Sequence, residues 1–180
     1  MADGDDTADD VRVLVEALYP QLRMIAGALS SRFGSPETLR STALISEVFL
    51  KLRRSPRFAD EQHFLRTAAR AMRQVLVNHA RGRVAQRRGG GAVVLPLDDD
   101  VPVFWQSDAE LIALDDALGK LESLDPRLAA VVECRFFGGY DDQETGRLLG
   151  MTDRTVRRDW VKARVLLRTL LEDGDLPGSG

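Results

Sequence analysis

Cysteine is almost absent from this 180-residue chain: Cys134 is the single thiol, at an apolar-stripe position, so no disulfide framework and no cysteine-based metal site can be built. Histidine is nearly as scarce, with only His63 and His79, sixteen residues apart on one expected helix. Neither has the neighbours of a catalytic triad or a zinc site, and both are read as surface or core residues. No catalytic residue, metal or cofactor is therefore expected. Gly89-Gly90-Gly91 is followed by Ala and Val, not by Lys and Ser or Thr, so it is no phosphate loop. No apolar run approaches the ~20 residues of a membrane span. The acidic start MADGDDTADD lacks the basic-then-apolar pattern of a signal peptide, and the expectation is a cytoplasmic protein with no membrane partner. Strand-type alternation of useful length is missing too, as is any internal repeat, which makes the expected fold class all-α.

What the chain does have is charge, and it is segregated. Hydrophobic residues make up 44% and charged residues 29%, enough for packed cores under a polar surface. The net charge of −3 hides three blocks. Residues 61–91 carry seven Arg against Glu61, a net of +6; residues 92–126 carry nine acids against Lys120, a net of −8. Residues 153–168 carry six Arg or Lys against Asp153 and Asp159, a net of +4. Separate surfaces for separate partners are implied, and the mean charge does not argue against nucleic acid.

Gly and Pro punctuation divides the chain into two small helical domains joined by a flexible linker: residues 10–85, a linker over 86–106, and residues 107–172. In the first, a helix is expected from Val11 to Ser31, broken near Tyr19-Pro20, then a turn at Gly34-Ser35-Pro36. A second helix runs from Thr42 to Arg53 with Leu44, Ile45, Val48, Phe49 and Leu52 on its apolar side. A third begins at Asp60-Glu61 and runs through Phe64, Ala68, Met72 and Leu76 to about Arg83. The linker holds the Gly triplet, Asp98-Asp99-Asp100 and Pro102.

The second domain opens on a capping box at Ser107 and Glu110, and on Asp125-Pro126, an N-cap with Pro at the first helical position; the latter helix closes at Gly138-Gly139. A helix-turn-helix completes it. Asp141-Asp142-Gln143-Glu144 is a capping box, Gly146 allows a close approach, and Gly150 sits where the turn needs positive φ. Thr152 caps a longer helix whose apolar residues Val156, Trp160, Ala163, Leu167 and Leu170 form one stripe. Arg154, Arg157, Arg158 and Lys162 lie opposite. Such a helix can enter a major groove, although two helices and a Gly turn with a solvated outer face also occur in any bundle.

Several stretches together resemble bacterial alternative sigma factors of the extracytoplasmic-function (ECF) class, in the sigma-70 family. They are Leu124-Asp125-Pro126-Arg127, Cys134 to Tyr140, Glu144-Thr145, Leu149-Gly150-Met151 and Arg154 to Trp160, which track the C-terminal domain of that class. Thr42 to Leu52 is similar to its polymerase-docking helix, and His63 to Arg81 to its promoter-melting helix. The resemblance covers about residues 10–172.

It implies that the N-terminal domain binds core RNA polymerase and the −10 element, while the C-terminal domain reads the −35 element. Leu44, Glu47, Val48 and Lys51 would dock on the β′ clamp helices, and the β flap of polymerase is a second implied contact. Arg154, Thr155, Arg157, Arg158 and Lys162 would serve the −35 element, to base edges or to phosphates. Arg66, Arg70, Arg73 and Gln74 form a polar, cationic face suited to one opened strand, with Phe58 preferred as a stacking group and Phe64 assigned to the core. Trp160 is assigned to the core as well, stacking on DNA being the alternative. The acidic linker run either mimics nucleic acid in the polymerase channel or simply keeps the linker extended.

Two positions depart from the class. The carboxylates usual before the docking helix are replaced by Arg40-Ser41-Thr42-Ala43, a gap shared by a subset thought to be switched by threonine phosphorylation. Phosphate on Thr42, or Ser41, would add about −1.5 to −2 charge at a helix N-terminus; otherwise Ser41 caps the helix and Glu47 suffices. The second is His63, where many relatives have Trp. An anti-sigma factor or a Ser/Thr kinase is a further implied partner, and the free chain is expected to be monomeric. The rival reading is an autonomous helix-turn-helix regulator, which should dimerise on a palindrome; the arginine-rich third helix, from Asp60-Glu61 to about Arg83, favours the sigma reading. A third is a sigma-like interaction module without promoter binding, which the charge of the last helix disfavours.

Overall fold

The computed structural model describes residues 41–52, 58–86 and 107–174. They form α1 (Ser41–Leu52), α2 (Glu61–Gln86), α3 (Asp108–Leu124), α4 (Pro126–Val132), a π-helical turn (Glu133–Phe137), α5 (Asp142–Leu149) and α6 (Asp153–Gly174), with no strand among the described residues. The all-α expectation holds. The helix expected over 11–31, the turn at Gly34-Ser35-Pro36 and the linker with its three Asp lie outside the described residues, as do the side chains of Ser41, Thr42 and Leu44. No described helix is long and apolar enough to cross a membrane.

Helix starts follow the polar residues ahead of them, because the first backbone N–H groups of a helix lack internal acceptors. Asp60 Oδ1 accepts from the His63 N–H at 2.6 Å. Ser107 Oγ accepts from the Glu110 N–H at 3.3 Å. One Asp125 oxygen accepts from the N–H groups of Arg127 and Leu128 at 3.1 and 3.2 Å, with Pro126 as the first residue of α4. Both halves of the capping box at α5 are made: Asp141 Oδ1 accepts from the Glu144 N–H at 2.7 Å, and Glu144 Oε2 from the Asp141 N–H at 2.9 Å.

The segment 126–137 departs from the single helix its sequence predicts. It is α-helical only to Val132 and then widens, with the Gly138 N–H bonded to the Glu133 carbonyl at 2.9 Å. In a regular helix two successive residues point about 100° apart. Here Phe136 and Phe137 are both buried, with ring centroids 4.8 Å apart and planes inclined at 77°. Cys134 lies in the same turn. Burial pushes its thiol up to about 12, with the neighbouring Glu133 charge adding to the effect.

Although the sequence separates two units, the described helices share one core. It runs from Ile45, Val48 and Leu52 of α1 through Phe64, Met72 and Leu76 of α2 to Leu114, Leu118 and Leu121 of α3, Phe137, and Ala163 and Leu167 of α6. The central helix is α2, which touches α1, α3, the π-helical turn and α5. Small helical units bury little surface alone, so mutual packing adds to the stability of each.

Two glycines shape the turn between α5 and α6. A Cβ on Gly146 would lie 2.6 Å from the Met151 carbonyl oxygen, so the chain after the turn can close on α5 only over a bare Cα. Gly150 has φ 67° and ψ 36°, the left-handed conformation that ends α5. Gly119, in contrast, is mid-helix with nothing within 4 Å of a built Cβ. Gly119→Ala should therefore raise unfolding free energy by about 0.5–1 kcal/mol, and Gly150→Ala should lower it by about 1–2 kcal/mol, in urea titrations. Because the folded thiol pKa of Cys134 lies above its unfolded value, its contribution is complete below about pH 8.5 and is lost as pH rises toward 12. The native thiol should resist iodoacetamide at pH 8, and Cys134→Ala should flatten the alkaline fall in the urea midpoint.

Candidate nucleic-acid interface

The cationic surface of α6 is built by its apolar stripe. Val156, Ala163 and Leu167 are buried and Trp160 and Leu170 half-buried, which turns Arg154, Arg157, Arg158 and Lys162 to solvent. Thr152 Oγ1 caps the helix by accepting from the Thr155 N–H at 3.2 Å, and the two threonine hydroxyls lie 2.9 Å apart. Thr155 is thereby committed to the cap and only half exposed.

The four basic side chains are not equivalent. Arg157 pairs with Asp153 and lies 3.3 Å from Asp142 Oδ2. Asp153 is held below the ordinary carboxylate range, first by the Arg154 backbone N–H and then by Arg157. Arg158 Nε reaches Asp159 at 3.4 Å. Arg154 and Lys162 make no ion pair among the described residues and are the most available to a ligand.

Asp159 is a residue that the sequence analysis passes over, although its spacing from Val156 and Ala163 puts it on the apolar side of the helix. It is 0% exposed, on the buried side of α6, with its Oδ2 3.0 Å from Arg127 Nε of α4. A carboxylate buried among apolar residues is tolerable only with a cation beside it, and Arg127 supplies the cation while tying α6 to α4. Trp160, on the adjoining side, carries the Arg135 guanidinium 4.5 Å from its ring centroid.

The polar face expected on α2 is present but divided. Arg66, Arg70 and Arg73 share one side and all turn toward the C-terminal helices. Arg66 Nη1 donates to the Leu148 carbonyl oxygen of α5. Arg70 Nη2 lies 3.1 Å from Glu122 Oε1 of α3. Arg73, 7% exposed, donates from Nε to Asp115 Oδ1 at 2.8 Å, from Nη1 to Glu133 Oε1 at 2.6 Å and from Nη2 to the Asp115 carbonyl at 3.1 Å. Further along, Arg81 meets Asp115 Oδ2 at 2.9 Å and Arg83 meets Asp108 at 2.6 Å. Gln74 faces the other way, its Oε1 accepting from Lys51 Nζ of α1 at 2.6 Å. Phe58 is half-buried, edge-on to Phe64 with centroids 5.1 Å apart and to His63 at 5.6 Å.

On α1, Val48 is turned into the core at 1% exposure. Glu47 accepts from His79 Nε2 at 2.9 Å. Leu50, absent from the expected docking set, is a large apolar side chain 54% exposed; its offset from the apolar side formed by Ile45, Val48, Phe49 and Leu52 carries the signal. No group of His, Cys, Asp and Glu among the described residues could hold a metal ion.

A protein-family model described as ECF sigma factor matches residues 1–173. No curated protein and no solved structure matches the chain.

The burial difference between two arginines on one face gives a direct test. Arg73→Met leaves two half-buried carboxylates facing each other and should cost about 3–5 kcal/mol, whereas Arg70→Met breaks an exposed pair and should cost less than about 1 kcal/mol in urea unfolding.

Proposed function

The chain belongs to the ECF sigma factor family, and on that premise we propose how an alternative sigma factor acting in transcription initiation divides its work along this sequence. Family membership implies core RNA polymerase and promoter DNA as partners. The observation that carries the reading is the family match over residues 1–173. Residues 10–85 take the polymerase and the −10 element, residues 107–172 take the −35 element as a helix-turn-helix, and residues 86–106 link them. Such a factor works in the cytoplasm.

For the −35 element, the N-terminal turns of α6 enter the major groove. The Gly150 turn, the exposed row Arg154, Arg158 and Lys162, and an Arg154 with no ion pair among the described residues support this placement. Arg157, already between Asp142 and Asp153, is better placed for a phosphate. For the polymerase, the outer side of α1 docks through Leu50 with Glu47 and Lys51 beside it, while Leu44 stays in the expected set and Val48 supports from the core. For the −10 element, Phe58, Arg66, Arg70, Arg73 and Gln74 remain the proposed group.

Regulation by phosphorylation is the finer part of the reading. The first turn of α1, which begins at Ser41, contains no acid. A phosphate on Thr42 or Ser41 would provide charge there, at the end of the helix dipole that favours anions. A Ser/Thr kinase is then the partner, and an anti-sigma factor the alternative control.

Run-off transcription of genomic fragments with core RNA polymerase, with and without the chain, tests the main reading. Specific new transcripts are expected. Their absence with both the wild type and Thr42→Glu, together with duplex binding by a dimer of the chain alone, would falsify it in favour of an autonomous regulator. Arg154→Ala should weaken promoter-specific initiation by about 1–3 kcal/mol of discrimination while leaving the urea midpoint in place. Under the switch, Thr42→Ala should silence the factor in cells and Thr42→Glu should restore part of its activity; full activity of Thr42→Ala removes the switch.

A further inference from the structure

Asp142, the first residue of α5, lies between two guanidiniums. Its Oδ2 is 3.3 Å from Arg157 Nε of α6, and its Oδ1 is 3.2 Å from Arg135 Nη2 of the π-helical turn. The Arg135 guanidinium lies 4.5 Å from the ring centroid of Trp160, almost one helical turn beyond Arg157. The contacts thus leave α6 at Arg157 and return to it at Trp160. Arg157 is held a second time, from Nη2, by Asp153 at the start of its own helix. Given the proposed entry of α6 into the −35 duplex, we infer that Asp142 is a positioning residue for DNA recognition. It aims the Arg157 guanidinium at one backbone phosphate, and so sets the register in which Arg154 meets its base.

Three features of the geometry support this. Arg157 is engaged along its Nε–Nη2 edge, which leaves Nη1 and the second Nη2 hydrogen for a ligand in a direction set by two acceptors. Its side chain is 63% exposed, whereas that of Asp142 is 25% exposed, so the arginine faces the ligand while the carboxylate holds it from behind. Finally, Arg135 and Arg157 are balanced by Asp142 and Asp153, so this corner offers a phosphate direction more than attraction. Arg154 and Lys162, with no ion pair among the described residues, supply the attraction. Phosphate contacts fix register without reading sequence. An arginine free to swing would serve several phosphates in turn and let α6 settle where Arg154 faces the wrong base. Phosphates out of register would also meet two carboxylates, which penalises them.

The test uses the full chain with core RNA polymerase on a promoter found by run-off transcription. Asp142→Asn keeps the shape of the side chain and removes its charge. Initiation is compared between that promoter and its single-base substitutions in the −35 element, and affinity of the complex for unrelated duplex DNA is measured by competition over a range of salt. Asp142→Asn should lower discrimination about fivefold, yet raise affinity for unrelated duplex about two- to threefold and steepen its log–log salt slope by about 1. A purely structural role would lower both kinds of binding together. Arg157→Lys keeps the charge but has no planar fork for two carboxylates, and should lose discrimination as well. In an Arg157→Met background, Asp142→Asn should change nothing further. Unchanged discrimination in Asp142→Asn, a parallel fall in specific and unrelated binding, or an equal effect with and without Arg157 overturns the inference, while specific initiation by the wild type keeps the sigma reading intact. A wild type that starts no specific transcripts removes the sigma reading first and the inference with it.

Discussion

Arg73 is the interaction on which the arrangement of the described helices depends. Two carboxylates and a backbone carbonyl from two different elements converge on one guanidinium. Asp115 and Glu133 would repel one another without it, in a place where water cannot screen them well. A planar fork with donors on three nitrogens can meet both at once, which a lysine ammonium on the same stem could not do with the same geometry. Around this knot the apolar side chains of α2 and α3 close, and the outer pairs of Arg70 and Arg81 add charge complementarity at the rim. The rim pairs set orientation more than stability, because exposed ion pairs contribute little.

Local chemistry made much of the architecture readable in advance. Ser107, Asp125, Asp141 and Thr152 each cap the helix that follows them, since a cap requires only a side-chain oxygen within three residues of an orphan N–H. Gly150 is readable for the same reason: its φ of 67° is a local demand. The stripe of α6 follows from helical periodicity, and so does the exposure of its arginines. What the sequence hid is what depends on distant residues. Arg73 and Asp115 are 42 positions apart, and Arg127 and Asp159 are 32 apart. The spacing of Asp159, three residues after Val156 and four before Ala163, puts it on the buried side of α6, but nothing near it in sequence reveals the cation that makes a carboxylate tolerable there, because Arg127 arrives from another helix. Gln74 does not share the polar face expected of it with Arg66, Arg70 and Arg73: adjacent helical residues point about 100° apart, and that angle sends Arg73 to α3 and Gln74 to α1. The π-helical turn is hidden in the same way: the run Glu133–Phe137 has no Gly or Pro to announce it.

The charge blocks visible in the sequence acquire a second meaning once folded. A basic stretch beside an acidic one reads as two surfaces for two external partners, and the family reading supplies polymerase and DNA for them. The fold places parts of the two against each other. Segregated charge therefore meets itself within the fold as well as facing outward. The C-terminal helix differs: Arg154 and Lys162 have no acid to neutralise them among the described residues, so its positive potential is directed outward.

The bond from Arg66 to the Leu148 carbonyl links the two cationic surfaces in a way that distance alone would not suggest. Leu148 is in the last turn of α5, where carbonyls run out of intrahelical donors, and the guanidinium from α2 supplies one immediately before the Gly150 turn that aims α6. Tyr140 adds a second tie, its hydroxyl donating to the Leu65 carbonyl at 3.3 Å. Whatever draws α2 away strips a cap from α5, and whatever fixes α5 in a new setting alters what Arg66 can reach. A change that moved α2 off α5 would take this bond with it, and by thermodynamic reciprocity a change at α5 that broke the bond would favour that movement to the same degree.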